Sequence, residues 1–302
     1  MFDFAHTCWF LTGPTASGKS DAAIDWALNN NAEIISMDSA ALYRRMDIGT
    51  AKPTPEQRNA VAHHLVDIID PKEDFSVAQY CQAAEQSARD ILARGKTPIF
   101  VGGTPLYLKA LLRGLFDGPA ADWAIRKELQ QVINQDGLPR LHELLQQADP
   151  ISAARLHVND SRRVIRALEV FRLTGKPISQ WQQEHDKPVP QDECRVFALD
   201  MNREELDARI ARRADWMLKN GLIEEVQKLL QFDSPLSRTA AQAVGYRETI
   251  AYCNTGDFSP AALALLRQDI ITHTHQLAKR QMTWFRGLSE CRLIPRFPQT
   301  EN

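Results

Sequence analysis

Gly13-Pro14-Thr15-Ala16-Ser17-Gly18-Lys19-Ser20 is the stretch on which the reading of this chain turns. It satisfies G-x-x-x-x-G-K-[ST] at every specified position. An apolar run at residues 8–11 precedes it, and residues 20–30 follow with a helical pattern. These flanks are the buried strand and the helix that the motif requires. The two glycines let the backbone fold tightly enough to aim several N–H groups inward, and the helix beginning there adds its positive end. The loop is therefore a seat for phosphate oxygens. Lys19 is expected to reach a terminal phosphate, and Ser20 to offer its hydroxyl to Mg²⁺. A chance lysine beside a glycine-rich turn would need neither flank.

Working outward, residues 33–39 read as a second buried strand ending in an acid, Asp38. In an open α/β sheet the carboxyl ends of neighbouring strands face the ligand crevice, so Asp38 is expected to point toward whatever Lys19 holds. It could position Mg²⁺ or act as a general base, and spacing leaves both open. Residues 49–55, with Gly49, Pro53 and Pro55, predict a loop over the site, in which Lys52 either touches phosphate or is exposed. A short strand is expected at 64–69, a helix capped by Ser76 at 76–93, and a strand at 97–101 running into Gly102-Gly103-Thr104. Residues 122–183 are helical by periodicity, with turns at Asp136-Gly137, Asp149-Pro150 and Gly175-Lys176-Pro177. Residues 195–199 restore a strand. Helices follow at 203–220 and 222–231, and a long one capped by Ser259 runs to about Arg286. The tail from Pro295 is expected to be loose. The fold class is thus α/β: a P-loop NTPase-like parallel sheet flanked by helices, with an all-helical insertion. Residues 1–117 and 191–302 make the core, and 118–190 the insertion.

Composition bounds the function. The chain has 302 residues, 44% of them apolar, and a formal charge of −2, which excludes a generally basic nucleic-acid binder. Contact with a phosphate backbone must come from local clusters. Residues 155–176 and 273–296 each carry a net charge of +4; solvated helix faces are the plain alternative. No run of 18 apolar residues exists, and no basic segment precedes the first strand, so no membrane association and a cytoplasmic location are expected. Five widely spaced cysteines argue against zinc and against a disulfide framework.

Several separate blocks together resemble the bacterial tRNA dimethylallyltransferase family. They are the loop at 13–20, Asp38-Ser39-Ala40-Ala41-Leu42-Tyr43, Gly49-Thr50-Ala51-Lys52-Pro53, Val101-Gly102-Gly103-Thr104 with Leu106-Tyr107, the run from Asn159 to Glu169, Val244-Gly245-Tyr246-Arg247, and Lys279-Arg280-Gln281 with Trp284. The resemblance implies transfer of a dimethylallyl group from dimethylallyl diphosphate to N6 of the adenosine 3′ to the anticodon, in tRNAs reading codons that begin with U. Mg²⁺ as cofactor and a monomeric enzyme come with it. By matching position, Asp38 becomes the catalytic base, acting with Lys19 and Thr104. Gly13, Pro14, Thr15, Ala16, Ser17, Gly18, Lys19 and Ser20 seat the diphosphate, with Arg209 or Arg213 as an added clamp and Ser20 on the metal. The tRNA contacts fall to Asp38, Ser39, Ala40, Ala41, Thr104 and Arg126. Arg162, Arg163, Val164, Ile165 and Arg166 join them, as do Gln242, Ala243, Val244, Gly245, Tyr246 and Arg247. The last block is His275, Gln276, Leu277, Ala278, Lys279, Arg280, Gln281 and Met282. Ala41 stands where many members carry glutamine.

The residue types suit that reaction. Fixed donors and a cation meet the charge that develops on a departing diphosphate, and a carboxylate can take the proton of an adenine amine, a weak nucleophile. An unpaired loop base can be splayed out and reached. A small-molecule or nucleotide kinase shares the loop, but no arginine-rich lid is found beyond the insertion. A prenyltransferase of free adenine nucleotides would not need the two basic segments. A non-catalytic RNA-binding protein would not need Lys19, Ser20 and Asp38 together.

Overall fold

The computed structural model describes residues 2–114 and 118–298. The chain divides into two compact units, Met1–Leu112 with Pro188–Asn302, and Arg113–Lys187. The expected boundary at 117/118 abuts residues 115–117, which lie outside the described residues.

In the first unit the order is α1 (Phe4–Thr7), β1 (Trp9–Thr12), α2 (Lys19–Asn29), β2 (Ala32–Ser36), α3 (Pro55–Ala60), β3 (His63–His64), α4 (Val77–Ala93), β4 (Thr97–Gly102) and α5 (Pro105–Arg113). The second unit holds α6 (Trp123–Ala148), α7 (Pro150–Arg155), α8 (Ser161–Thr174) and α9 (Ile178–His185). The first unit then resumes with β5 (Arg195–Leu199), α10 (Arg203–Lys219), α11 (Leu222–Leu230), α12 (Arg238–Ala241), α13 (Tyr246–Thr255), α14 (Pro260–Gly287) and β6 (Arg292–Ile294).

The sheet is parallel throughout, in the order β3-β2-β4-β1-β5-β6. Its four inner strands, β2, β4, β1 and β5, are largely buried and apolar on both faces, as strands covered by helices on each side must be. Alternation sorts them: Phe10, Ile35, Phe100, Val196 and Ala198 enter the larger core, while Trp9, Leu11, Ile34, Ile99, Val101, Phe197 and Leu199 enter the other. Phe10 and Phe100 stack with centroids 5.0 Å apart across the β1–β4 pair. Burying each such ring contributes about 1.5–3 kcal/mol.

Three expectations are corrected. The strand foreseen at 64–69 stops at His64, because Leu65 (φ 58°) and Asp67 (φ 59°) adopt left-handed backbone that no strand can continue. A sixth strand, β6, pairs with β5 where none was foreseen. Beyond it the chain is docked rather than loose as far as residue 298, with Phe297 buried against Trp9, Trp26 and Phe197; the remainder of the expected loose tail, residues 299–302, lies outside the described residues.

The second unit has its own core of Leu129, Leu141, Leu145, Ala153, Val164, Ala167 and Leu168. Gly137 (φ 84°) breaks α6 into two helical segments at the foreseen Asp136-Gly137 turn.

Candidate active site

The phosphate-type loop leaves the carboxyl end of β1, an interior strand with β4 and β5 on either side. Gly13 (φ 144°) lies against the backbone of Leu199, with space for a Cβ only at 3.1 Å from it; Gly18 (φ 82°) caps α2 in left-handed backbone. Both positions need the residue without a Cβ. The Thr15 N–H donates to Gln281 Oε1 at 2.8 Å, and Gln281 Nε2 donates to the Gly103 carbonyl at 2.6 Å. One buried amide from α14 thus ties the loop to the turn after β4. Ser17 Oγ is buried with no hydrogen-bond partner among the described residues, an unsatisfied donor within the loop.

Two half-buried cations face this loop. Among the described residues, Lys19 Nζ donates only to the Pro14 carbonyl, at 3.1 Å. Burial lowers its pKa to about 8; the Asp38 charge opposes that shift and Arg213 adds to it. Arg213 is likewise pushed down by burial and held up by Asp38. Among the described residues no carboxylate lies within ion-pair distance of either. Buried positive charge without an anion is costly, so the arrangement fits an anionic ligand.

Asp38 sits two residues past β2, half-buried. Its Oδ1 accepts the N–H groups of Ala40 (2.8 Å) and Ala41 (3.3 Å), which aims the carboxylate and leaves Oδ2 free. The strand ends meet closely here: a Cβ on Gly102 would collide with the Met37 backbone. Thr104 fixes the next turn, its Oγ1 accepting the Ser39 N–H at 3.1 Å.

A cavity of about 420 Å³ is lined by the loop (Ala16, Gly18, Lys19, Ser20), by Ala51 and Pro53, and by Arg209, Arg212 and Arg213 of α10. Arg209 leans on Gly18 while its guanidinium pairs with Glu205 at 2.8 Å. Arg212 joins the two arginines expected to clamp the diphosphate. Its signal was the i, i+3 spacing from Arg209, which puts the two on one helix face. Lys52 corrects the expectation of a phosphate contact or an exposed side chain. Its side chain is buried and donates to the Tyr43 carbonyl (2.5 Å), Asp47 (2.8 Å) and Asp67 (2.5 Å), stitching its own loop.

The residues expected to touch tRNA divide by exposure. Lys279, Arg280, Gln242 and Gln276 are exposed; Ser39, Ala40, Ala243, Val244 and Leu277 are half-buried. Ala41, Gly245, Tyr246, Ala278, Gln281 and Met282 are buried, as is Val164 in the second unit, and Ile165 packs against that unit's core. These side chains shape the surface rather than reach from it. His275 pairs with Asp207 at 3.0 Å, and Arg247 with the buried Glu248. In the second unit Arg126 and Arg166 both spend their guanidinium groups on the buried carboxylate of Glu169, at 2.7 and 2.6 Å. Arg162 is exposed with no acidic partner among the described residues, and Arg163 is exposed with a long 3.4 Å contact to Asp160.

Comparison with known proteins agrees on one family. The family model described as IPP transferase matches residues 41–288. A tRNA dimethylallyltransferase of Rhodopirellula baltica is 47% identical over 95% of this chain and 87% of its own length. One from Geobacter metallireducens is 46% identical over 93% and 89%. Among solved structures, the tRNA isopentenylpyrophosphate transferase of Bacillus halodurans matches with a TM-score of 0.66 and 37% identity, over 96% of this chain and 89% of that one. A eukaryotic dimethylallyltransferase acting on tRNA matches with a TM-score of 0.75 and 26% identity, over 95% and 73%.

Proposed function

The chain belongs to the IPP transferase family, and from that premise we propose that it transfers a dimethylallyl group from dimethylallyl diphosphate to N6 of the adenosine 3′ to the anticodon, in tRNAs reading codons that begin with U. It is an enzyme, a prenyltransferase that modifies tRNA. The observation that carries the mechanism is that two half-buried cations without an ion-pair partner among the described residues, Lys19 and Arg213, line the loop cavity within the field of the Asp38 carboxylate.

The allylic C–O bond breaks and its electron pair leaves with the diphosphate. The backbone N–H groups of Ala16 and Gly18, the Ser17 hydroxyl, Lys19 and Arg213 meet that charge, while Arg209 and Arg212 border the same cavity. Fixed donors aimed at developing charge are the largest catalytic resource of such a site. A C–N bond forms from the adenine amine to the same carbon. The amine's proton passes to Oδ2 of Asp38, whose other oxygen is held by two backbone N–H groups. Positioned general-base catalysis of this kind gives about 10²- to 10⁴-fold.

Mg²⁺ fits the donors present. Ser20 offers an exposed hydroxyl at the head of α2, and no three-residue His/Cys/Asp/Glu cluster occurs among the described residues, as suits an ion held chiefly by substrate phosphate and water. When bound, it would neutralise charge on the leaving diphosphate. The exposed cations Lys279 and Arg280 on α14 and Arg162 and Arg163 on α8 supply contacts to the anticodon stem-loop. The enzyme acts as a monomer, and a tRNA acceptor places the work in the cytoplasm. Among the described residues no helix is long and apolar enough to cross a membrane.

Incubation with labelled dimethylallyl diphosphate and, in parallel, unmodified tRNA or AMP, alongside labelled ATP with the same acceptors, tests the proposal. Label must move from the prenyl donor to tRNA. Transfer only to AMP, or only from ATP, sinks it.

A further inference from the structure

The cavity's outer wall, Ala51 and Pro53, comes from a segment with little regular structure of its own, so something outside it must fix its backbone. At its start that role falls to a carboxylate on the far element α11. Glu225 accepts the N–H of Asp47 at 2.9 Å, that of Ile48 at 3.0 Å and, more weakly, that of Gly49 at 3.5 Å. Three successive amides converging on one anion make a backbone nest, a geometry that is specific and strong when the acceptor is charged. The phenol of Tyr246, at the first position of α13, donates to the same carboxylate at 2.6 Å.

The ring of Tyr246 also closes on the loop from the side. A Cβ on Gly49 would collide with it, so glycine is required there by contact rather than by backbone angle. Burial and the neighbouring Glu225 push the Tyr246 phenol far above its ordinary range, which keeps it a donor at every working pH. Downstream, the buried Lys52 side chain pins the rest of the segment to Tyr43, Asp47 and Asp67, and Arg58 pairs with Asp67 at 2.8 Å. Neither Glu225 nor Tyr246 lines the cavity.

We propose that Glu225, with the Tyr246 hydroxyl as its partner, is a positioning residue for the prenyl donor: it holds the 47–49 backbone so that Ala51 and Pro53 form the wall of the diphosphate cavity. This rests on the reading of that cavity as the donor site. Because Tyr246 heads the element following residues 242–245, the same carboxylate joins the donor wall to a stretch expected to face tRNA. Loss of the clamp raises the KM for donor and spares the chemical step, since Asp38, Lys19 and Arg213 are left in place.

Glu225→Gln and Tyr246→Phe provide the test in the full-length protein. Binding of inorganic pyrophosphate by calorimetry reads the cavity independently of catalysis, and amide exchange at 47–49 reads the clamp. Glu225→Gln is expected to weaken pyrophosphate and raise donor KM about tenfold, with kcat within about threefold, since small misplacements of binding groups are costly. Tyr246→Phe, which removes one hydroxyl and keeps the ring, is expected to move the same quantities less, and serves if Glu225→Gln does not fold. Faster exchange at 47–49 with unchanged pyrophosphate affinity overturns the inference, as does a fall in kcat alone. If wild-type protein binds pyrophosphate but transfers no prenyl group to tRNA, the proposed function fails while this inference still stands or falls on the calorimetry.

Discussion

At the scale of single residues, the site rests on opposite charges kept apart for a ligand. Asp38 holds its position through backbone N–H groups and not through a basic side chain, so removing it breaks no ion pair among the described residues. Asp38→Ala is expected to lower kcat about 10²- to 10⁴-fold with tRNA affinity kept within a few-fold. Filter binding that falls in step with the rate would make Asp38 a binding residue instead. Lys19 carries a pH signature. Its pKa lies near 8 because burial disfavours the ammonium, and a bound diphosphate favours the ammonium again. The free protein is thus largely protonated below pH 8 and takes up a proton on binding above it. Donor affinity should fall as pH rises through about 8, by as much as about tenfold per pH unit, and calorimetry in buffers of different ionisation enthalpy should detect the uptake. A flat profile between about pH 7 and 9.5 would show that Lys19 does not meet the diphosphate.

At the scale of elements, helices present cations that strands could not. Lys279 and Arg280 stand exposed on α14 two and one residues before Gln281, which braces the phosphate loop. Replacing Lys279, Arg280 and Arg162 by Ala is expected to flatten the plot of log affinity for tRNA against log salt, by roughly 0.7–0.9 for each phosphate no longer neutralised. An unchanged slope would remove them from the interface. Arg166→Ala should instead act on stability, because its guanidinium already serves Glu169. The elements differ in how far the sequence disclosed them. The loop at 13–20 was legible because its chemistry restricts the residue at each position, and Asp38 followed from the strand before it. β3 was overread because nothing in its apolar pattern announces the left-handed backbone of Leu65 and Asp67. β6 is only three residues long and owes its existence to pairing with β5. The roles of Lys52, Gln281 and Glu225 could not be read, since each depends on partners brought near only by the fold.

At the scale of the molecule, charge is also used to close the sheet. Glu33, on β2, is nearly buried yet holds Arg94, Lys96 and His64 at 2.6–2.9 Å. Burial alone would raise its pKa, but Lys96, Arg94 and His64 outweigh it and lower the value to about 2. A depressed carboxyl stabilises the fold above its unfolded pKa and ceases to do so as pH falls through the folded one. Glu33→Gln should therefore cost about 1.5–3 kcal/mol at neutral pH, with the gap to wild type in denaturant titrations narrowing from pH 4.5 toward pH 2. A gap that stays constant over that range would assign the loss to packing. The bond between Thr15 and Gln281 spans 266 residues of sequence. Contacts so remote form late, after intervening chain has been ordered. A ribosome that has released the loop's own codons has therefore made the motif but not the receptor, and products of stalled translation should retain every motif residue and still fail to sequester the isoprenoid that the finished molecule consumes.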